Sequence, residues 1–167
     1  IGQLRRPILD DSTVFANRYW KRPRLHFSPG NAERLRHSNE SFDVLVNVES
    51  SHCYVHMDRF VAHAYRILRP GGHFLVADFR RASQLDELRA ELQKPGFLLV
   101  EEENLNEGVL LALDADDARK REFIEEKVDE RRKPMFEMFA AVIDSPMYKA
   151  FKSDESTYMR YVLKKPQ

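Results

Sequence analysis

A chain of 167 residues is long enough for one domain with a real core, since chains near 150 residues bury roughly 68–70% of their unfolded surface. Lys plus Arg and Asp plus Glu are 27 each, so the field lacks the positive balance that phosphate-backbone binding uses, and nucleic acid is a poor partner. No apolar run approaches the roughly 20 residues of a membrane span, the start "IGQLRRPILDD" lacks a signal-peptide core, and one cysteine cannot form an internal disulfide, which predicts a cytoplasmic, reduced setting. A chain opening at Ile1 rather than Met also suggests sequence upstream.

In chain order, "STVFANRYW" predicts a helix from Ser12, as N-cap, that ends before Pro23. A short strand is expected at Leu25 to Ser28, then turn chemistry at "PGN" and "RHSNES". Phe42 to Val48, "FDVLVNV", is β-branched and apolar without clean alternation, which predicts a strand covered on both faces and lying centrally in a sheet. Phe60, Val61, Ala64, Ile67 and Leu68 recur at helical spacing, and "RPGG" stops that helix. His73 to Phe79, "HFLVADF", is the next strand. Strand, helix and strand at this spacing make a βαβ unit with parallel strands and a right-handed crossover.

A helix over Ser83 to Lys94 carries Leu85, Leu88 and Leu92, and "PGFLLVEEENL" supplies a turn and a further strand. Asp114 to Arg132 reads as a solvated helix. Pro134 opens another helix, with Met135, Met138, Phe139 and Val142 as its apolar face. "STYMRYVLKK", Ser156 to Lys165, alternates as an edge strand would. There is no internal repeat and no low-complexity tract.

"VNVESSHCY" ends the first strand of the βαβ unit at a crowd of reactive side chains. Ligands of open α/β sheets settle beyond the carboxyl ends of the strands. Glu49, Ser50, Ser51, His52 and Cys53 lie past one strand and Asp78 at the end of the next, so neighbouring strands would set His52 and Asp78 on one lip. A carboxylate beside an imidazole fixes its tautomer and orients it as a general base. The plainer alternatives are a surface or capping role for His52, a helix cap for Asp78, a solvated loop acid at Glu49 and a small buried hydrophobe at Cys53. His52 and His56 have no clear third metal ligand.

"GNAERL" (Gly30 to Leu35), "SFDVLVNVESSHCY", "RFVAHAYRILRPGG" and "FLVADFR" follow one another as in class I S-adenosylmethionine-dependent methyltransferases, which the chain resembles specifically from Leu25 to Arg80. It is most similar to small-molecule O-methyltransferases that include the mycobacterial phthiotriol and phenolphthiotriol dimycocerosate enzymes. The resemblance implies an α/β fold, an incomplete Rossmann-like sheet that is mostly parallel with an antiparallel last strand. It divides one domain into an N-terminal helix remnant (1–24), the βαβ core (25–104), a helical acceptor or lid region (105–155) and the final strand (156–165).

It also implies S-adenosylmethionine as methyl donor, bordered by Asn31, Ala32 and Glu33 at the adenine and by Asn47, Val48 and Glu49 at the end of the strand. His52 would take the acceptor's proton with Asp78 behind it, and the acceptor would be a hydroxyl of a hydrophobic, lipid or polyketide-like molecule. Met135, Phe136, Phe139, Met147 and Tyr148 are candidates for its pocket, or for ordinary helix core. The sequence departs from the family pattern in several places. No glycine-rich turn precedes Leu25, Arg5 and Arg6 stand where the ribose-gripping acid belongs, Asn31 replaces an aspartate, and Arg36 and His37 replace Pro-Phe. Those departures raise two further expectations: a second copy or partner chain covering an exposed sheet edge, and a non-catalytic module of the same fold acting in assembly.

Overall fold

The computed structural model describes residues 8–167, with side chains from Ser12 onward, so Arg5 and Arg6 lie outside the described residues. Four strands form one sheet in the order β1-β2-β4-β3. They are β1 (Phe42–Val48), β2 (Leu68–Arg81), β3 (Leu98–Asn104) and β4 (Ser156–Lys164). β1 and β2 are parallel neighbours, and β4 runs antiparallel to both β2 and β3. Three strands therefore point one way and only the last is reversed, which leaves the carboxyl ends of β1 and β2 side by side.

The crossover is α2 (Met57–Ile67), whose Met57, Phe60, Val61, Ala64 and Ile67 are buried on one face. Met57, Phe60, Val61 and Ala64 join Phe74 and Val76 of β2, Tyr161 and Leu163 of β4, Phe97, and Leu88 and Leu92 of α3 (Leu85–Gln93) in one core. Large apolar side chains buried in this way each contribute roughly 1.5–3 kcal/mol. Strand alternation sets Asp78 on the same side of β2 as Phe74 and Val76, which is why a carboxylate is buried there. Helix and strand join without a loop. Gly71, at φ +79, turns the chain, and a Cβ on Gly72 would stand 2.9 Å from the carbonyl oxygens of both Arg69 and Asp43.

Several expectations are corrected. Among the described residues β1 is an edge strand, not a central one, and Val44, Val46 and Val48 are more than half exposed. β4 is central rather than an edge. Its Arg160, which breaks the apolar pattern, pairs across the sheet with Glu101 and Glu103 of β3. Leu25 to Ser28 form no strand, because the backbone N–H and C=O of Phe27 bond the side chain of Asn17 instead of a ladder. That asparagine lies on α1 (Ile8–Tyr19), inside which Ser12 falls rather than capping it. Serine is tolerated within helices, so it marks a start only weakly.

The helical segment is α4 (Asn106–Lys127), α5 (Lys133–Phe139) and α6 (Pro146–Lys152). α4 begins eight residues before the expected Asp114. Asn106, buried at its head, donates to Phe151 O, Asp154 Oδ1 and Ser156 O and accepts from Tyr158 N, stapling α4 to α6 and β4. Pro134 opens α5 as expected, but Met135 and Phe139 are exposed, the latter at 87%. α6 was not foreseen, although Ser145 as N-cap and Pro146 behind it are its signal.

Candidate active site

β1 ends at Val48, and Glu49 turns the chain in the left-handed region at φ +46. Ser51 to Cys53 then form a short 3₁₀ turn over the end of β2. This turn brings His52 and Asp78 together, with His52 Nδ1 2.8 Å from Asp78 Oδ1. The Asp78 side chain is closed to solvent, whereas that of His52 is 29% exposed and its ring lies 4.6 Å from that of Phe79.

Asp78 accepts at both oxygens. Ser51 Oγ (2.6 Å) and His52 N (3.0 Å) donate to Oδ2, and Phe79 N (2.9 Å) joins the imidazole at Oδ1. Arg80 stands 3.4 Å from Oδ2 and donates to Ser51 Oγ at 2.9 Å. Burial, the largest influence, pushes the Asp78 carboxyl up. The hydrogen bonds from Ser51, His52 and Phe79 and the Arg80 charge together outweigh it and hold the group below its ordinary 3.8. An ionised carboxylate fixes the imidazole with its proton on Nδ1, which leaves the Nε2 lone pair available as a base. Asp78 is therefore a clamp on the preceding turn. Ser51 stands among the residues past the strand, but no spacing marks its bond to Asp78, and Arg80 had no signal in the sequence.

The other candidates surround this pair. Asn47 is buried, donates from Nδ2 to Ser50 Oγ and Tyr54 OH at 2.9 Å each, and leaves Oδ1 without a partner. Val48 is exposed at the strand end. The Glu49 carboxylate accepts from Tyr158 OH at 2.9 Å, and burial, then this bond, push the Tyr158 phenol well up. Asn31 caps the turn Ala32–Arg34, Ala32 packs on the core, and Glu33 Oε1 accepts from Val55 N and His56 N. Glu33 thus ties the 31–33 turn to the loop that carries His52. Cys53 is exposed, and among the described residues no group of three or more His, Cys, Asp or Glu is placed to hold a metal.

A cleft of about 840 Å³ opens beside His52, walled by Val55, Met57, Phe79, Leu88, Met138 and Met147. Charged Asp58, Arg80, Arg81, Glu87, Glu91 and Lys94 complete its rim. Of the aromatic and methionine side chains expected in an acceptor pocket, Met147 lines the cleft, Met135 and Phe139 face solvent, and Tyr148 is buried with its hydroxyl donating to Asp114. No helix among the described residues is long and apolar enough to cross a membrane.

The parallel β1–β2 pair, the reversed β4 and the rim they share define part of the class I methyltransferase fold. Residues 9–76 match the family described as a methyltransferase domain. The chain is 36% identical over 118 residues to a phthiotriol/phenolphthiotriol dimycocerosates methyltransferase of Mycobacterium leprae, covering 71% of this chain and 42% of that one. It is 33% identical over 96 residues to a fatty-acid O-methyltransferase of Mycolicibacterium smegmatis, covering 58% of this chain and 35% of that one. The chain spans less than half the length of these two curated relatives. Among solved structures, the [4+2]-cyclase SpnF superposes with a TM-score of 0.71 at 19% identity, over 95% of this chain and 63% of that one. This last likeness is one of fold.

Proposed function

We propose that the chain carries the acceptor side of an S-adenosylmethionine-dependent methyltransferase acting on a hydroxyl of a hydrophobic, lipid-like small molecule, with His52 as general base. The observation that carries this reading is the 2.8 Å contact between His52 and a solvent-closed, ionised Asp78 at the mouth of the cleft. The printed names of the two relatives, both lipid methyltransferases, support the substrate class.

The residues present fit one wall of a donor site. Asn47, Val48 and Glu49 would hold the donor at the carboxyl end of β1, where Asn47 Oδ1 is a buried acceptor lacking a partner. Asn31, Ala32 and Glu33 would border the adenine from the turn that Glu33 ties to the loop. The bound donor supplies an electrophilic methyl group on a sulfonium. The apolar side chains of the cleft would hold the acceptor with its hydroxyl toward His52, whose Nε2 would receive the hydroxyl proton, while the donor, when bound, would give its methyl carbon to the oxygen and keep the carbon–sulfur electron pair. The 105–155 segment serves as the acceptor-side lid of a single domain.

A second reading, a methyltransferase-like module acting in assembly, is favoured by the open edge of β1. There Val44, Val46 and Val48 would be covered by a partner chain or a second copy. Calorimetric titration with S-adenosylmethionine, together with transfer of a labelled methyl group to a long-chain hydroxy lipid, separates the two. Binding with transfer is expected. A folded sample that gives no heat at millimolar donor and no labelled product overturns the first reading in favour of the second.

A further inference from the structure

Arg80 and Ser51 make no contact that the proposed reaction requires, yet their hydrogen bonds run in one direction only. A guanidinium donates and never accepts, so the 2.9 Å contact from Arg80 Nη2 makes Ser51 Oγ an acceptor there. The serine's single proton is then committed to Asp78 Oδ2, at 2.6 Å. With the backbone N–H of His52 on the same oxygen, Oδ2 is filled, and the imidazole is directed to Oδ1. A second Arg80 nitrogen, Nη1, donates to Phe79 O at 2.7 Å and stands 3.4 Å from Oδ2, so the guanidinium is held from two sides with its side chain only 14% exposed.

We propose that Arg80, acting through Ser51 and Asp78, is a positioning residue that fixes the ring of His52 with its proton on Nδ1, toward Asp78. The device is a chain of three links: a fixed cation, a hydroxyl whose proton has one destination, and a carboxylate that presents one oxygen to the ring. Without Arg80 the Ser51 hydroxyl is free to turn away from Oδ2, and the carboxylate loses the contacts that fix which oxygen it presents to the ring.

Other charges lie around the ring. Glu49 from the β1 turn is occupied by Tyr158 OH of β4. Asp58 at the head of α2 and Glu155 before β4 line the cleft, as do Arg81 at the end of β2 and Glu87, Glu91 and Lys94 of the α3 wall. Among the described residues, Arg80 is the Lys or Arg side chain that reaches the Asp78 carboxylate directly.

The catalytic meaning of this device rests on the proposed role of His52, but its test needs neither donor nor turnover. The probe is the ¹⁵N resonances of the His52 ring by NMR in the 167-residue chain at a fixed pH, which distinguish a ring held with its proton on Nδ1 from a mixture of tautomers, with thermal unfolding as a check on folding. The parent is expected to show the Nδ1–H form, and Arg80→Gln a mixture. Arg80→Lys, which keeps the cation, is expected to retain most of the parent's form. Ser51→Ala, which removes the relay, is expected to give a mixture as well and carries the test if R80Q does not fold. A ring unchanged in folded R80Q, or in folded S51A where R80Q fails, overturns the proposal, as does an R80K variant that loses the Nδ1–H form as fully as R80Q. A lost tautomer in a chain that transfers no methyl group would leave this inference standing and sink the proposed function.

Discussion

Asp78→Asn changes one oxygen to an amide nitrogen at constant shape, and its cost follows from the four hydrogen bonds the carboxylate accepts, two at each oxygen. If the nitrogen takes the Oδ1 place it opposes Phe79 N–H, and if it takes the Oδ2 place it opposes His52 N–H. Either way a backbone donor loses its acceptor in a site closed to solvent, which costs about 1–3 kcal/mol. The remaining bonds lose their charge assistance and Arg80 loses its counter-ion, which brings the total to about 3–5 kcal/mol, the range for breaking a buried ion pair. Urea unfolding at pH 7 followed by circular dichroism measures it. The Asp78 carboxyl is held below 3.8, so its contribution is complete above that pH and is lost as the pH falls through the lower, folded value. The gap between parent and variant should hold steady near neutrality and narrow below about pH 3.8. A D78N chain within 1 kcal/mol of the parent at pH 7, or a gap that widens in acid, would refute the reasoning.

Two further outcomes follow from single contacts. Gly72→Ala drives a Cβ against two backbone carbonyls and should cost about 1–3 kcal/mol, seen as a fall of roughly 2–12 °C in melting temperature. Gly108→Ala, with nothing within 4 Å of the added carbon, should show no fall. Glu33→Ala frees the amides of Val55 and His56 from their acceptor, a loss of about 1 kcal/mol, so their hydrogen exchange should quicken roughly fivefold while that of the β2 core is unchanged. Equal protection in the variant would mean that the loop beside His52 is held by something else.

Much of the site's frame was legible because it is local. The apolar run of β1, the helical spacing of α2 and the glycines before His73 gave a βαβ unit, and parallel neighbours set His52 and Asp78 on one rim. What escaped depends on partners far along the chain. The alternation of Ser156 to Lys165 suits an edge strand, yet β4 is central, and its charged Arg160 is matched by Glu101 and Glu103 across the sheet. Phe27 looked like strand until Asn17 supplied its hydrogen bonds. Val44, Val46 and Val48 promised a central strand, but an apolar composition reports what a strand can bury and not what lies beside it. Ser51 meets Asp78 across 27 residues and Arg80 across 29, separations no periodicity encodes.

The central claim, that the imidazole held by Asp78 receives a proton during methyl transfer, is tested most directly by His52→Ala. Turnover and donor affinity are measured together on the protein that shows methyl transfer. Turnover should fall about 10²–10⁴-fold while the Kd for S-adenosylmethionine stays within about threefold of the parent. Undiminished turnover would contradict the account, and an equal loss of donor binding would assign His52 to the donor rather than to the acceptor's proton.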